Sequence, residues 1–199
     1  MNYTVLPLKH IQANPCISIK IGRMPLDVDR KAHREYIFNV QEFNRILERF
    51  PADGNFYLSF VVPYNIGTRI SETFAIDLIE DIDLENHELH IKRQMIKIQK
   101  TWYFKAPKYD SYRTIKIGIT LEQALKHAIH QRKLNRLTYG KNYINTYVLS
   151  DHSLIQFRAN IEVPYKEITP LCVKDNGELL TPESFKYCAR VIHKHSTQK

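Results

Sequence analysis

Apolar and polar positions settle into a regular period only from Asn39 onward. Asn39 with Glu42 three residues later has the signature of a capping box, and Phe43, Ile46, Leu47 and Phe50 follow at helical spacing, so a first helix is predicted here. "PADGN" interrupts it, and a second apolar helix is expected from about Phe56 to Ile66, kinked or ended early by Pro63. Residues 69–78 read as a third short helix. The period then changes. "HELHIKRQMIKI", "KTWYFKAP" and "SYRTIKIG" are rich in Ile, Tyr, Trp and Thr and predict a three-stranded antiparallel sheet. Thr120, with Gln123 completing a capping box, should open a long helix that Gly140 terminates. Residues 141–167 show no clear period; "ITPLCVKD" reads as a short strand and "DNGE" as a turn. Thr181 with Pro182 opens a last helix. Before Asn39, residues 1–35 carry two prolines in "IQANPCISIKIGRMPLDVDRKAHRE" and many charges without a sustained period, as a linker would. One domain over residues 36–199 is therefore expected.

Composition narrows the class. The chain has 199 residues, 43% apolar and 25% charged, as folded domains do. Its net charge of +8 and pI of about 9.3 favour a polyanionic partner, nucleic acid first, over a merely basic surface. Cys16, Cys172 and Cys188 form no CxxC pair, which argues against a zinc site and for free thiols in a reducing compartment. "MNYTVLPLKHI" has no signal-peptide pattern, and "FYLSFVVPYNIG" is too short to span a bilayer. A cytoplasmic protein without a membrane partner is expected.

Two local features bear on chemistry. In "NIGTRISETFAI" a single arginine, Arg69, lies among apolar and small residues, with Glu72 placed to hold its guanidinium if the segment is helical. A fixed guanidinium fork suits bidentate binding of phosphate, although an internal ion pair would serve the helix start equally well. In "FKAPKYDSYRTIKI", Lys105, Lys108, Arg113 and Lys116 alternate with Tyr103, Phe104, Tyr109 and Tyr112 in or beside one expected hairpin. Basic and aromatic residues interleaved in this way fit a nucleic-acid contact, and they equally fit an ordinary solvent-facing strand.

Taken in order, these segments resemble the tyrosine recombinases, or phage integrases. The matching phrases are Gly67-Thr68-Arg69-Ile70-Ser71-Glu72, then "DIDLEN", then Pro107-Lys108-Tyr109-Asp110-Ser111-Tyr112-Arg113-Thr114-Ile115, then "ALKHAIHQRKLNRLTYG" and "NGELLTPESFKY". "HIQANPC" is similar to the end of the family's core-binding domain. The resemblance implies an α+β fold, mainly helical, with a small three-stranded antiparallel sheet. It implies that residues 1–35 are the interdomain linker with the tail of the core-binding domain, and that residues 36–199 are the first two thirds of a catalytic domain, truncated at its C-terminus.

For the site, the resemblance implies that Arg69 binds the scissile phosphate and Lys108 protonates the leaving 5′-oxygen. Glu72 is then a supporting residue; Lys105 and Arg113 are expected to contact DNA on the strength of the basic and aromatic interleaving, not of the resemblance. No metal or cofactor is implied. The partner is duplex DNA, and a homo-oligomer on DNA stays open for the full-length protein. The family also uses a His-x-x-Arg box, a further His or Trp, and a tyrosine that forms a 3′-phosphotyrosine bond. No His-x-x-Arg occurs after Ser184; His193 and His195 have no arginine following, and Tyr187 precedes the place where the box would stand. The readings that remain are a partial integrase, a DNA-binding remnant without chemistry, and an unrelated basic DNA-binding domain.

Overall fold

The computed structural model describes residues 38–196. The expected linker over residues 1–35, and Cys16 with it, lies outside the described residues.

Helix α1 (Val40–Arg49) is capped as its sequence requires. Asn39 Oδ1 accepts the Glu42 amide at 2.9 Å and the Glu42 carboxylate accepts the Asn39 amide at 3.0 Å. Its apolar stripe buries Phe43 and Ile46, and Phe43 stacks on Tyr64. Helix α2 (Tyr57–Ile66) continues through Pro63 and ends at Gly67, whose φ of 63° is the left-handed stop that glycine takes without a Cβ penalty. The early end expected at Pro63 does not occur.

The third helix is a correction. It is a single turn, α3 (Ile70–Thr73), not a helix reaching Leu78. The following apolar run is buried on all sides, so its periodicity cannot separate helix from extended chain. Its backbone pairs with residues 169–171 instead: Leu78 N–H donates to Thr169 O at 2.8 Å and Leu171 N–H donates to Ile76 O at 2.8 Å.

The sheet also differs from expectation. β1 (Ile82–Asp83), β2 (Glu88–Ile91) and β5 (Arg113–Lys116) form an antiparallel sheet in the order β1-β2-β5. β3 (Gln94–Ile98) and β4 (Thr101–Lys105) form a separate hairpin. The run expected as one strand breaks at Lys92 and Arg93, whose side chains turn to buried Asp81, at 3.2 and 2.7 Å. Arg93 Nε also donates to the Ala75 carbonyl at 3.0 Å. A knot of charge thus separates two strands that hydrophobic patterning joins.

Helix α4 (Ile119–Tyr139) begins at Gly118, before the expected Thr120 cap, and no side chain caps it. Gly140 ends it, as its sequence predicts. Leu121 and Leu125 enter the core, and Arg132 donates to the Pro170 and Leu171 carbonyls at 3.0 and 3.4 Å. Residues 141–167 contain most of a second antiparallel sheet, β6 (Ile144–Val148), β7 (Leu154–Arg158) and β8 (Lys166–Ile168), ordered β7-β6-β8. The "DNGE" turn is present, with Gly177 at φ 86°. Helix α5 (Pro182–Ser196) opens with Thr181 Oγ1 accepting the Ser184 amide at 3.4 Å and lays Phe185 against Phe60 and Phe74.

Cys172 and Cys188 are buried free thiols. Burial pushes the Cys172 thiol up to about 12, so it stays protonated at neutral pH. Among the described residues, no helix is long and apolar enough to cross a membrane.

Candidate nucleic-acid interface

The site begins at the start of α3. Arg69 is its N-cap, with extended backbone, and Glu72 in the first turn reaches back to it. The Arg69 amide donates to Glu72 Oε2 at 3.0 Å, and Arg69 Nη1 donates to Glu72 Oε1 at 2.7 Å. The carboxylate is buried and the guanidinium is not, although Arg69 stands among apolar and small residues in the sequence. The Glu72 side chain is 1% exposed, whereas that of Arg69 is 52% exposed. The rigid element is the carboxylate, and the guanidinium leans out from it. Nη2 and Nε of Arg69 have no partner among the described residues, so one edge of the fork is open.

Lys108 lies in the segment joining β4 to β5, on a single irregular turn, Lys108–Asp110. The segment links two sheets and is not the tip of one hairpin, which corrects the expected arrangement. Tyr109 and Asp110 take φ of 61° and 49°, left-handed angles that are uncommon without glycine. Ser111 closes the turn: its Oγ donates to the Lys108 carbonyl at 2.9 Å and accepts from Arg69 Nη1 at 3.4 Å. The Lys108 segment is thereby joined to the Arg69 turn, although Arg69 and Ser111 are 42 residues apart. Lys108 Nζ lies over the Tyr109 ring and pairs with no carboxylate among the described residues.

Arg113 opens β5 opposite Ile91 and points to the same carboxylate. Its Nη2 donates to Glu72 Oε2 at 2.6 Å and its Nη1 to the Ser111 carbonyl at 3.3 Å, with the side chain 29% exposed. Burial by itself would raise the Glu72 pKa, but hydrogen bonds from Arg113 and Arg69 outweigh it and hold the carboxyl below its ordinary value. Sequence reading identified the Arg69–Glu72 pair from its spacing. It missed Arg113 as the second partner, because that contact depends on the register of β2 against β5.

Lys105, at the end of β4, is exposed and lines an open groove of about 1230 Å³ with Tyr112, His152, Tyr165 and Lys166. Lys92 pairs with Asp81 at 3.2 Å, Arg93 with Asp81 at 2.7 Å, and Lys166 with Glu80 at 2.6 Å. Lys105 is the lining lysine without an ion pair among the described residues. Tyr187 stands exposed on α5. Among the described residues, no group of three His, Cys, Asp or Glu side chains is placed to hold a metal ion.

No protein-family model and no curated protein matches the chain. Solved structures do. An arginine-to-lysine variant of the Tn1549 transposon integrase, in complex with a circular intermediate DNA, superposes with a TM-score of 0.62 at 18% identity, covering 100% of this chain and 55% of that one. The fold is similar to that of part of this integrase. A tyrosine-to-phenylalanine variant of the same integrase, in complex with transposon right end DNA, gives a TM-score of 0.62 at 18% identity with the same coverage. A further complex of that integrase with circular intermediate DNA gives 0.60 at 18% identity, over 86% of this chain and 49% of that one. This chain therefore spans about half the length of the integrase chains it matches.

Proposed function

We propose that this chain is part of an integrase-type tyrosine recombinase that binds duplex DNA and presents Arg69 and Lys108 to a scissile phosphate. The observation that carries the reading is the join between them. A half-exposed Arg69 is fixed on buried Glu72, and the Lys108 segment is tied to it through Ser111. The integrase fold supports it, as do the DNA complexes in which the similar structures are seen.

In this reading the open edge of Arg69 neutralises the non-bridging oxygens, whose charge must be balanced during phosphoryl transfer. Lys108, whose backbone carbonyl Ser111 anchors, supplies the proton to the leaving 5′-oxygen. Lys105 extends the contact along the groove. No His-x-x-Arg box, which would carry the second arginine of the full mechanism, occurs after Ser184 in this sequence, and Tyr187 precedes the place where that box would stand. By itself, the 199-residue chain is therefore proposed to bind DNA without cleaving it, acting in the cytoplasm on duplex DNA.

The test is titration of a labelled duplex at low and moderate salt. Binding should weaken steeply with salt and vary little with sequence, because phosphate contacts dominate it. Absence of binding at low salt would overturn the reading. A nicked suicide substrate should leave no covalent protein–DNA adduct on a denaturing gel; an adduct would show that a tyrosine within this chain is the nucleophile.

A further inference from the structure

We propose that Arg113 is a positioning residue, acting on the phosphate site through Glu72 and the Ser111 carbonyl and not by touching DNA. The proposal rests on the DNA-binding reading above. Three pieces of the fold meet at this side chain. Its backbone belongs to the β2–β5 sheet, its Nη2 holds Glu72 Oε2, and its Nη1 holds the Ser111 carbonyl. Glu72 passes the constraint to Arg69 through its other oxygen, and Ser111 passes it to the Lys108 carbonyl. The ring Arg69–Glu72–Arg113–Ser111 thus sets the two proposed phosphate-facing cations relative to each other.

The Lys108 segment requires such a constraint. Two consecutive non-glycine residues, Tyr109 and Asp110, sit at left-handed angles that persist only where surrounding contacts over-determine them. Arg113 is also poorly placed for a phosphate. The nitrogens that would grip one are committed to Glu72 and Ser111, and most of the side chain is covered. Lysine could not replace it, since one ammonium lacks the planar fork that spans two acceptors.

The experiment compares duplex affinity and its salt dependence for the 199-residue chain and for Arg113→Met, Arg113→Lys, Glu72→Gln and the Glu72→Gln/Arg113→Met double variant. Arg113→Met and Arg113→Lys should each weaken binding about tenfold at low salt, the equivalent of one strong interaction. In the Glu72→Gln background, Arg113→Met should add less than about twofold, because residues acting through one another are not additive. Recovery of affinity by Arg113→Lys would overturn the proposal. So would an undiminished Met effect in the Glu72→Gln background with the salt slope reduced by about one, the mark of a direct phosphate contact.

If Arg113→Met fails to fold, Arg113→Lys carries the comparison. If the unmodified chain binds no duplex, the DNA reading fails, and hydrogen exchange decides the positioning role. The Asp110 and Tyr112 amides, bonded to Pro107 O at 3.0 Å and Asp110 O at 2.8 Å, should then exchange faster in Arg113→Lys. The His90 amide, bonded to Asp81 O, should keep its rate. Unchanged exchange at Asp110 and Tyr112 would overturn the proposal.

Discussion

Glu72 and Arg113 are 41 residues apart in the chain and 2.6 Å apart in the fold. Glu72 has almost no solvent contact, so its charge depends on Arg113 and Arg69. Glu72→Ala would leave two guanidiniums facing a cavity. A loss of about 3 kcal/mol is expected, at the low end for breaking a buried pair because both arginines keep some access to water. Urea denaturation of the variant measures it, and a loss below about 1 kcal/mol would mean that the pair is dispensable to the fold.

The same carboxylate gives the fold a pH dependence of known sign. The Glu72 pKa in the folded state lies below its ordinary value of 4.5, so the unfolded chain takes up the proton first as pH falls. Its contribution is complete above about pH 4.5 and declines as the pH drops through the folded value. Urea midpoints between about pH 3 and 7 should therefore fall on the acid side, less steeply in Glu72→Gln than in the unmodified chain. Equal acid slopes would contradict this.

Asp81 is the second buried carboxylate with much depending on it. It accepts the Asp77 amide at 2.8 Å and Arg93 Nη2 at 2.7 Å, and its Oδ1 faces the Lys92 ammonium at 3.2 Å without hydrogen-bond geometry. Asp81→Ala should cost about 3 kcal/mol by stranding Arg93. Asp81→Asn should cost less, since an amide oxygen can still accept the Asp77 proton. Thermal melts of the two variants should rank in that order.

Gly67 and Gly177 separate two costs of a side chain. Both have positive φ, but a Cβ at Gly67 would meet nothing within 4 Å, whereas at Gly177 it would lie 2.2 Å from the Ile144 carbonyl oxygen and 2.7 Å from the Tyr143 ring. Gly67→Ala should cost about 1–2 kcal/mol from backbone strain alone. Gly177→Ala must also displace the start of β6, and its melting point should be the lower of the two.

Lys105 and Lys108, which lack ion pairs among the described residues, are expected to meet phosphates as free charges. Lys105→Ala and Lys108→Ala should each lower the slope of log affinity against log salt by about one unit. Lys97→Ala, which removes a lysine paired with Glu183 at 2.6 Å, should change the slope less. Equal slopes for all three would indicate a diffuse charge effect and no defined contact.

What was legible in the sequence follows from how local each signal is. Helix α1 could be read because its capping box and its apolar stripe lie within a dozen residues and agree. Arg69 and Glu72 could be paired for the same reason. The β7-β6-β8 sheet could not, because Asn145, Thr146 and Tyr147 are all buried in β6, so the strand shows no alternation and two of its buried residues are polar. The break at Lys92 and Arg93 also escapes patterning. It exists because Asp81, on the preceding turn, draws those side chains in.

The left-handed pair Tyr109 and Asp110 has a consequence for how the Lys108 segment behaves as a peptide. Cut from the fold, residues 106–112 would rarely adopt this shape, because Tyr109 does not favour it and non-glycine residues that visit it do so singly, not as a consecutive pair. The geometry that aims Lys108 is thus written in residues distant from it, in a glutamate on one side and a strand on the other. Transplanting the seven residues into another scaffold would carry over the lysine and leave its direction behind.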